Sequence, residues 1–520
     1  MLKNPLLIVK NLSIETKKKK LVKNICFEIN QGQIFALVGE SGSGKSLTAL
    51  SILDLLSKGL TQTGDLTFNG KAYDQAELSS LRGIEVAFIF QDPSNSLNPV
   101  MTVGEQIDEV IKANTSLGKS ERLQKIRDSF KKVEMDSSDE MLNRYPHQIS
   151  GGQKQRVLIA FALATDAKLI IADEPTTALD VTTQKTILSL LKDLQKTQKL
   201  SILLITHDLS VVKMISDKIG VMYQGEIIEQ QSSKAFFNNP QKEYSKSLIS
   251  SIPSKSRKVR FGNLLMQVKE LNIHFPIRSG IFRKVKGFNK AVNNLDFDLY
   301  KNQNIAIVGE SGSGKTTTAM SLIRQQKITS GEILFSNEGS KSNIDSIPRN
   351  AYAKNVQIVF QNITSSFNPR KTIYETIIEG IRALNPSQAN KKYVDYLMKE
   401  VDLNSELLDR YPHQLSGGQL QRCAIARALS VNPDVIICDE PTSALDASIK
   451  IQILNLLLKI QKEKKISYIL ITHDMSIVSY FSDFIIVMKN GNVIESGSTT
   501  SVLSSPEKTY TRELLSSVLN

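Results

Sequence analysis

A seven-residue string occurs twice in this chain, and that repeat limits the possible folds more than any other feature. Residues 39–45 read GESGSGK, and residues 309–315 read the same letters 270 positions later. Further matched pairs follow in the same order as far as Tyr244 and Tyr510, which lie 266 positions apart. A chain of 520 residues with such a repeat is predicted to form two similar domains.

The boundary between the two copies is polar. Residues 253–258 read PSKSRK, a composition typical of a short flexible connector. We therefore predict a first domain at 1–252, a linker at 253–263 and a second domain at 264–520.

Each copy alternates between strand-like and helical runs. Short apolar runs at 34–38, 169–172 and 202–205 are typical of parallel strands that are buried on both faces. The run at 9–14 has apolar residues near every second position, as a half-buried strand does, and 183–194 has a helical pattern. Strands that alternate with helices predict an α/β fold with a parallel sheet.

The composition is that of a globular chain. Hydrophobic residues make up 41% and charged residues 22%, which excludes collagen-like, coiled-coil and wholly disordered proteins. No apolar run is long enough to span a membrane, and the N-terminus lacks the pattern of a signal peptide. Cys26, Cys423 and Cys438 have no CxxC spacing, which excludes a disulfide framework, a zinc ribbon and an iron–sulfur cluster. These features predict a cytosolic protein.

The formal net charge of +13 leaves the binding partner open. A basic chain favours nucleic acid, an anionic membrane surface or nucleotide phosphates. Basic clusters such as 17–20 and 255–260 are also typical of solvated turns and linkers. The function therefore has to be inferred from motifs.

Each copy carries a glycine-rich motif of the type GxxxxGK[ST] between an apolar strand and a helix. Its backbone N–H groups and the N-terminus of the helix bind phosphate. We expect the lysine to reach the β- and γ-phosphates and the hydroxyl residue after it to bind Mg²⁺. A glycine turn by chance is the alternative, and two matches in the same context argue against it. The predicted lysines are Lys45 and Lys315, the hydroxyl residues are Ser46 and Thr316, and the other phosphate-binding residues are Gly39, Ser41, Gly42, Gly44, Gly309, Ser311, Gly312 and Gly314.

Two acids end a second apolar strand in each copy. Asp173 and Glu174 follow LIIA, and Asp439 and Glu440 follow VIIC. Open α/β sheets bind ligands at the carboxyl ends of their strands, so these side chains are predicted to lie at the ligand edge. The first acid suits Mg²⁺, and the second suits the orientation or deprotonation of an attacking water. A strand that ends in two acids is, by itself, as often a capping or surface pair as a functional one. Together with a phosphate-binding loop in the same copy, the acid pair predicts that the bound nucleotide is hydrolysed.

Further strings resemble motifs of the ATP-binding cassette proteins, in both copies and over nearly the whole chain. Residues 149–153 (ISGGQ) and 415–419 (LSGGQ) resemble the signature motif of that family, with Ile149 in place of the usual Leu. Gln91 and Gln361 resemble its Q-loop glutamine. A single glutamine of this kind would be read as a surface residue, and a single histidine as an ordinary buried one. Here the glutamine and the histidine each occur in both copies, at the same place in the order of motifs that the family has. The remaining matches are the D-loop residues Ala178, Leu179, Asp180, Ala444, Leu445 and Asp446 and the switch histidines His207 and His473.

The resemblance implies a fold and a set of site residues. The implied fold is α/β, with two P-loop ATP-binding cassette domains, each a mostly parallel core sheet with an antiparallel β part and a helical subdomain. Cassettes of the family stack head to tail and bind each ATP between one P-loop and the opposite signature, so this chain is expected to form a pseudo-dimer within itself. The implied catalytic residues are Glu174, Glu440, His207, His473, Gln91 and Gln361; the Mg²⁺ ligands are Ser46, Thr316, Gln91, Gln361, Asp173 and Asp439; and the signature residues are Ser150, Gly152 and Gln153, opposite Lys315, and Ser416, Gly418 and Gln419, opposite Lys45.

Longer strings resemble one branch of the family, the dipeptide and oligopeptide importers. They include RYPHQ at 144–148 and 410–414, and the tails that contain Tyr244 and Tyr510. This resemblance implies a peripheral ATPase at the cytoplasmic face of the cell membrane that uses ATP and Mg²⁺. It also implies two integral-membrane permease subunits and an extracytoplasmic substrate-binding protein as partners, and no nucleic acid. The chain lacks the cysteine-containing C-terminal extension of many of these importers, and dipeptides, oligopeptides, nickel complexes and glutathione all stay open as cargo.

Soluble tandem-cassette translation factors that act on the ribosome are the alternative. They normally carry a long charged helical linker between the cassettes, whereas the connector here is short. Cassette proteins of DNA repair need zinc-binding cysteines or long coiled coils, and a fused sugar-importer ATPase does not account for the Tyr-Pro-His-Gln strings.

One family feature differs between the two copies. Family members usually stack adenine on an aromatic residue just after the first strand. Phe275 holds that place in the second copy, whereas Thr16 holds it in the first. The resemblance therefore implies weaker ATP binding at the Lys45 site, unless Phe275 only packs on the sheet.

Overall fold

The computed structural model describes residues 5–176, 179, 181–250, 261–279, 284–337, 340–442 and 447–517. The chain divides into two compact units, one of residues 1–251 with 519–520 and one of residues 252–518. Most of the predicted linker lies outside the described residues, and the predicted domain bounds stay a prediction.

The strands of the first unit form two sheets. In the described residues they are β1 (Pro5–Glu15), β2 (Lys20–Asn30), β3 (Ile34–Val38), β4 (Thr61–Phe68), β5 (Lys71–Tyr73), β6 (Val86–Ile89), β7 (Leu169–Asp173), β8 (Ser201–Thr206), β9 (Lys218–Tyr223) and β10 (Glu226–Ser232). The core sheet has the order β10-β9-β3-β8-β7-β6, and its pairs are parallel except β9 with β10. The second sheet is antiparallel in the order β2-β1-β4-β5. The predicted parallel core sheet with an antiparallel part is confirmed.

Helices cover the core sheet and form a helical part between β6 and β7. They are α1 (Lys45–Ser51), α2 (Pro93–Ser96), α3 (Val103–Asn114), α4 (Lys119–Lys132), α5 (Asp139–Leu142), α6 (Gly151–Ala164), α7 (Val181–Gln198), α8 (Leu209–Ile215), α9 (Ser233–Asn238) and α10 (Glu243–Ser250). The apolar faces of α3, α4 and α6 meet in one core, where Ile107, Phe130 and Val157 are fully buried. Thr102 begins α3 with a capping box, which satisfies backbone N–H groups at the helix start.

The second unit repeats this succession of elements. Its strands are β11 (Leu264–Ser279), β12 (Lys284–Tyr300), β13 (Asn304–Val308), β14 (Ser330–Asn337), β15 (Ser340–Asn343), β16 (Val356–Val359), β17 (Val435–Asp439), β18 (Ser467–Thr472), β19 (Phe484–Lys489) and β20 (Asn492–Ser498). Its helices are α11 (Lys315–Leu322), α12 (Arg349–Asn355), α13 (Ile363–Ser366), α14 (Ile373–Leu384), α15 (Lys391–Glu400), α16 (Gly417–Leu429), α17 (Ala447–Lys464), α18 (Met475–Phe481), α19 (Thr499–Ser504) and α20 (Thr509–Ser517).

The described strands of the second unit all belong to one sheet of the order β15-β14-β11-β12-β20-β19-β13-β18-β17-β16. Its two parts are joined by one parallel bridge between Asn293 and Asn492. In the first unit the N–H of Lys23 donates to the carbonyl of Gly225 at 2.8 Å at the corresponding place. The two units therefore share one layout. The first unit has two sheets and the second has one because a single bridge joins the two parts in the second unit.

The order of the core strands brings the predicted site residues to one edge. In the first unit β3, β8, β7 and β6 are neighbours and parallel, so their carboxyl ends meet. The glycine-rich loop follows β3, His207 follows β8, Asp173 ends β7, and Gln91 comes two residues after β6. Among the described residues no helix is both long enough and apolar enough to cross a lipid bilayer.

Candidate functional site

The lysine of each glycine-rich loop is buried and contacts backbone oxygens of its own loop. Lys45 Nζ donates to the carbonyls of Gly39 at 2.8 Å and Glu40 at 2.7 Å. Lys315 Nζ makes the equivalent bonds to Gly309 and Glu310 at the same distances. A buried ammonium group at the start of a helix suits the binding of phosphate.

The first glycine of the loop is required by a close approach of two backbone segments. Gly39 has φ +153°, and a Cβ atom there would lie 2.1 Å from the carbonyl oxygen of Met222 in β9. Gly309 has φ +154° and the same approach to Met488 in β19. No other residue fits this position without displacing a core strand.

We expect Gly39→Ala to lower the unfolding temperature more than Gly42→Ala. Both glycines have a positive φ, so both substitutions add backbone strain of about 1–3 kcal/mol. A Cβ at Gly42 meets nothing within 4 Å, whereas one at Gly39 meets the Met222 carbonyl. Differential scanning calorimetry of the two variants separates the clash from the strain, and equal unfolding temperatures would show that the close approach costs nothing.

A hydroxyl group and a carboxylate lie together beside each loop. Ser46 Oγ donates to Asp173 at 3.2 Å, and Thr316 Oγ1 donates to Asp439 at 3.3 Å. Burial raises the pKa of Asp439 to about 6 and also raises the pKa of Asp173, although each of these hydrogen bonds acts in the opposite direction. Hydroxyl and carboxylate oxygens are ligands that Mg²⁺ prefers, so the pair fits such an ion.

The glutamate after the metal-site aspartate is held from two sides. Gln91 Nε2 donates to Glu174 Oε2 at 2.7 Å, and His207 Nδ1 lies 2.8 Å from Glu174 Oε1. The second unit has the same arrangement, with Gln361 at 2.8 Å and His473 at 3.0 Å from Glu440. The structure thus joins the predicted glutamine, glutamate and histidine in each unit by direct hydrogen bonds.

The carboxyl group of Glu440 is charged near neutral pH. Burial is the largest single effect and would raise its pKa, but the hydrogen bonds of His473 and Gln361 and the nearby positive charges, Lys315 included, together place the pKa below the ordinary value. A carboxylate only accepts hydrogen bonds, so Nδ1 of His473 carries a proton; Nε2 is an acceptor in the neutral ring and a second donor in the charged ring.

Both glutamates have an unusual backbone conformation, which the sequence analysis missed. The φ angle is +47° at Glu174 and +46° at Glu440. Their N–H groups donate to Ile205 at 2.8 Å and Ile471 at 2.9 Å, which fixes each residue against the neighbouring strand. Strain of this kind occurs at functional sites and here orients the side chain after the strand end.

The signature residues lie at the start of a long helix in each unit. Ser150 accepts the N–H of Gln153 at 3.3 Å, and the Gln153 side chain accepts the N–H of Ser150 at 2.9 Å. Ser416 and Gln419 form the same capping box before α16. Ser150 and Ser416 are exposed, so each helix presents its positive N-terminal end to solvent.

Two further predictions concern the D-loop and the residue that stacks on adenine. Of the D-loop residues only Leu179 lies within the described part of the chain. Phe275 lies in β11 opposite Asn289, with 38% of its surface exposed. Thr16 lies in the turn after β1, where its hydroxyl accepts the N–H groups of Lys18 and Lys19.

Solved structures with the same fold span almost the whole chain. An archaeal ribosome recycling factor, aABCE1, solved in complex with the ribosomal stalk protein aP1, has a TM-score of 0.63 over 96% of this chain and 90% of its own, at 21% identity. A structure of RNase-L Inhibitor has the same TM-score over 97% of this chain and 92% of its own, at 20% identity. At these identities the likeness shows the fold alone.

Sequence comparison identifies the family. The ABC transporter model matches residues 22–177 and 292–443, and the model for the oligopeptide/dipeptide transporter C-terminal region matches residues 228–272. The glutathione import ATP-binding proteins GsiA of Escherichia coli O157:H7 and Shigella flexneri are each 39% identical to this chain, over 98% of it and 89% of their own length. The chain therefore belongs to the ATP-binding cassette transporter family, as the ATP-hydrolysing subunit of an importer of the dipeptide and oligopeptide type.

Proposed function

We propose that this chain hydrolyses ATP at two Mg²⁺-dependent sites and thereby energises import of short peptides or related small solutes through two membrane permease subunits. The observation that supports this most is the hydrogen-bonded set of glutamine, glutamate and histidine beside the P-loop lysine. The set forms separately in each unit with distances of 2.7–2.8 Å and 2.8–3.0 Å. Two intact sets favour two sites that both hydrolyse ATP.

The proposed roles follow from the chemistry of each side chain. Lys45 and Lys315 bind the β- and γ-phosphates, with the N–H groups of their loops. Glu174 and Glu440 orient the attacking water and accept its proton. In each unit the Q-loop glutamine and the histidine hold this carboxylate in place, and when the histidine ring carries a second proton its Nε2–H can donate to the γ-phosphate.

A magnesium ion fits the oxygen ligands at the P-loop. Ser46 and Asp173 would hold it in the first unit, Thr316 and Asp439 in the second, and the Q-loop glutamines would complete the set. When bound, Mg²⁺ offsets the negative charge that accumulates on the phosphates during transfer.

The arrangement of the family supports composite sites. We propose that Ser150, Gly152 and Gln153 complete the site of Lys315, and that Ser416, Gly418 and Gln419 complete the site of Lys45. The exposed N-terminal ends of α6 and α16 suit this role, because backbone N–H groups at a helix start bind the γ-phosphate.

The cargo and location are proposed from the relatives. The GsiA proteins are named for glutathione import, which supports a short-peptide or glutathione-like cargo here. An extracytoplasmic substrate-binding protein would deliver that cargo to the permeases, and this chain would lie on the cytoplasmic face of the membrane.

Purification of the tagged full-length chain from its own cells distinguishes this function from the alternative. Recovery of two hydrophobic permeases after mild detergent extraction would support the importer. Co-sedimentation with ribosomes that survives high salt, without permeases, would support a translation factor and would contradict the proposal.

We also expect the two sites to differ in ATP affinity. Base–aromatic stacking contributes about 1–3 kcal/mol in nucleic-acid complexes, so Phe275→Ala should weaken ATP binding at the Lys315 site by roughly five- to 150-fold. Thr16→Tyr should strengthen the Lys45 site by less, since it also removes the hydrogen bonds of Thr16 within its turn.

Equilibrium ATP binding to the full chain measures this difference in affinity. The variants Lys45→Ala and Lys315→Ala each remove ATP binding at one site, so that the other site is measured alone. Phe288→Ala is the matched control, because Phe288 lies on the same hairpin opposite Pro276 and is 60% exposed. Equal affinities, with no response to either substitution, would discard the stacking role.

A further inference from the structure

The last helix in the described part of each unit, α10 or α20, contacts the P-loop through a tyrosine. In the first unit the N–H of Glu40 donates to the hydroxyl oxygen of Tyr244 in α10 at 3.1 Å. In the second unit the N–H of Glu310 donates to the hydroxyl oxygen of Tyr510 in α20 at 3.2 Å. The same contact therefore forms twice, between segments that are 204 and 200 residues apart.

The peptide group that meets the tyrosine also meets the lysine of the loop. The N–H of Glu40 and the carbonyl of Gly39 belong to one planar peptide unit, and that carbonyl accepts Lys45 Nζ at 2.8 Å. The peptide between Gly309 and Glu310 links Tyr510 to Lys315 in the same way. Because the unit is rigid, a bond at its N–H end fixes the direction of the carbonyl that contacts the lysine. Hydrogen bonds in such a chain also strengthen one another.

A carboxylate, buried in the first unit and half-buried in the second, anchors the segment that carries each tyrosine. Glu229 in β10 accepts the N–H groups of Gln241 at 2.9 Å and Lys242 at 3.1 Å, immediately before α10. Burial is the largest single effect and would raise the pKa of Glu229, but the hydrogen bonds that this carboxylate accepts together outweigh it and keep the pKa below the ordinary value, so the group is charged at neutral pH. The second unit repeats this anchor before α20, with Glu495, Glu507 and Lys508.

We propose that Tyr244 and Tyr510 are positioning residues of the two ATP sites. Each hydroxyl fixes the peptide that orients the P-loop lysine, so the tail of each unit is needed for full affinity for ATP. Without the hydroxyl, the N–H of Glu40 or Glu310 loses this partner, and the direction of the carbonyl at the other end of the peptide is less restricted. This inference rests on the proposed function, since it requires that the lysines bind the phosphates of ATP.

The test is ATP binding to the full-length chain carrying Tyr244→Phe and Tyr510→Phe together. Phenylalanine keeps the ring and its packing and removes only the hydroxyl. We expect the Kd for ATP with Mg²⁺ to rise about three- to tenfold, as for a lost hydrogen bond, while the unfolding temperature falls by only about a few degrees. Isothermal titration on a background of Glu174→Gln and Glu440→Gln avoids hydrolysis during the measurement, and changing both tyrosines removes the same hydrogen bond from both sites.

Tyr223→Phe is the matched control. The ring of Tyr223 lies 4.3 Å from that of Tyr244, and its hydroxyl accepts the side-chain amide of Gln224 at 3.1 Å. Removing that hydroxyl should leave the Kd unchanged. A double phenylalanine variant that binds ATP as tightly as its parent would overturn the inference and show that the rings only pack. Failure of the parent itself to bind ATP would instead refute the proposed function.

Discussion

Replacing Glu174 and Glu440 together by glutamine is expected to lower ATP hydrolysis by about two to four orders of magnitude. Glutamine nearly preserves the shape of glutamate but cannot accept a proton from water. The lysines and loop N–H groups that bind phosphate are unchanged, so the affinity for ATP should stay close to that of the parent chain. The loss should therefore fall on kcat.

Release of inorganic phosphate and equilibrium ATP binding measure the two quantities separately. Glu226→Gln and Glu332→Gln are matched controls, because both glutamates are surface carboxylates paired with lysines, Lys23 and Lys269. They undergo the same chemical change and should hydrolyse ATP normally. Near-normal turnover in the Glu174 and Glu440 double variant would show that these glutamates are not the general bases.

The sequence was sufficient to predict the core of each unit, because its signals are local. The apolar runs at 34–38 and 169–172 became β3 and β7, whose residues are all buried. A parallel strand covered by helices on both sides has to be apolar along its length, so such runs are distinctive. Glu174 follows β7 directly and was predicted from that position, whereas Gln91 and His207 were predicted from their resemblance to motifs of the family.

Other parts of the site depend on contacts that no local pattern records. The bond from Glu40 to Tyr244 depends on how the tail after β10 returns to the P-loop. The positive φ of Glu174 follows from the bond of its N–H to Ile205, and glutamate itself carries no signal for that conformation. Both features result from tertiary packing between distant segments, and only coordinates reveal them.

The comparisons also separate the two functions that the sequence had left open. The archaeal ribosome recycling factor shares the fold at 21% identity, and fold alone does not imply function. The import subunits share 39% of their residues over 98% of the chain, and the C-terminal region of oligopeptide and dipeptide transporters matches at 228–272. That match includes Tyr244, so the segment that distinguishes this branch is also the one that touches the P-loop.

Ser150→Arg is expected to disable the site of Lys315 and to spare nucleotide contact at Lys45. If the signature of one unit completes the P-loop of the other, a bulky cation at the start of α6 removes a hydroxyl donor and blocks the γ-phosphate. Loss of one oxyanion donor costs about two to three orders of magnitude in rate, so turnover at that site should fall at least roughly a hundredfold.

Photo-crosslinking with an azido-ATP, followed by peptide mapping, reports each site separately. Labelling of the Lys315 peptide should be lost, and labelling of the Lys45 peptide should persist. Ser150 also caps α6, so Ser138→Arg is the matched control: Ser138 is an exposed cap of α5 that accepts the N–H of Met141 at 3.3 Å. It imposes the same loss of a cap and the same added bulk, and it should leave both peptides labelled. Loss confined to the Lys45 peptide would contradict the head-to-tail arrangement, because Ser150 would then act on the P-loop of its own unit.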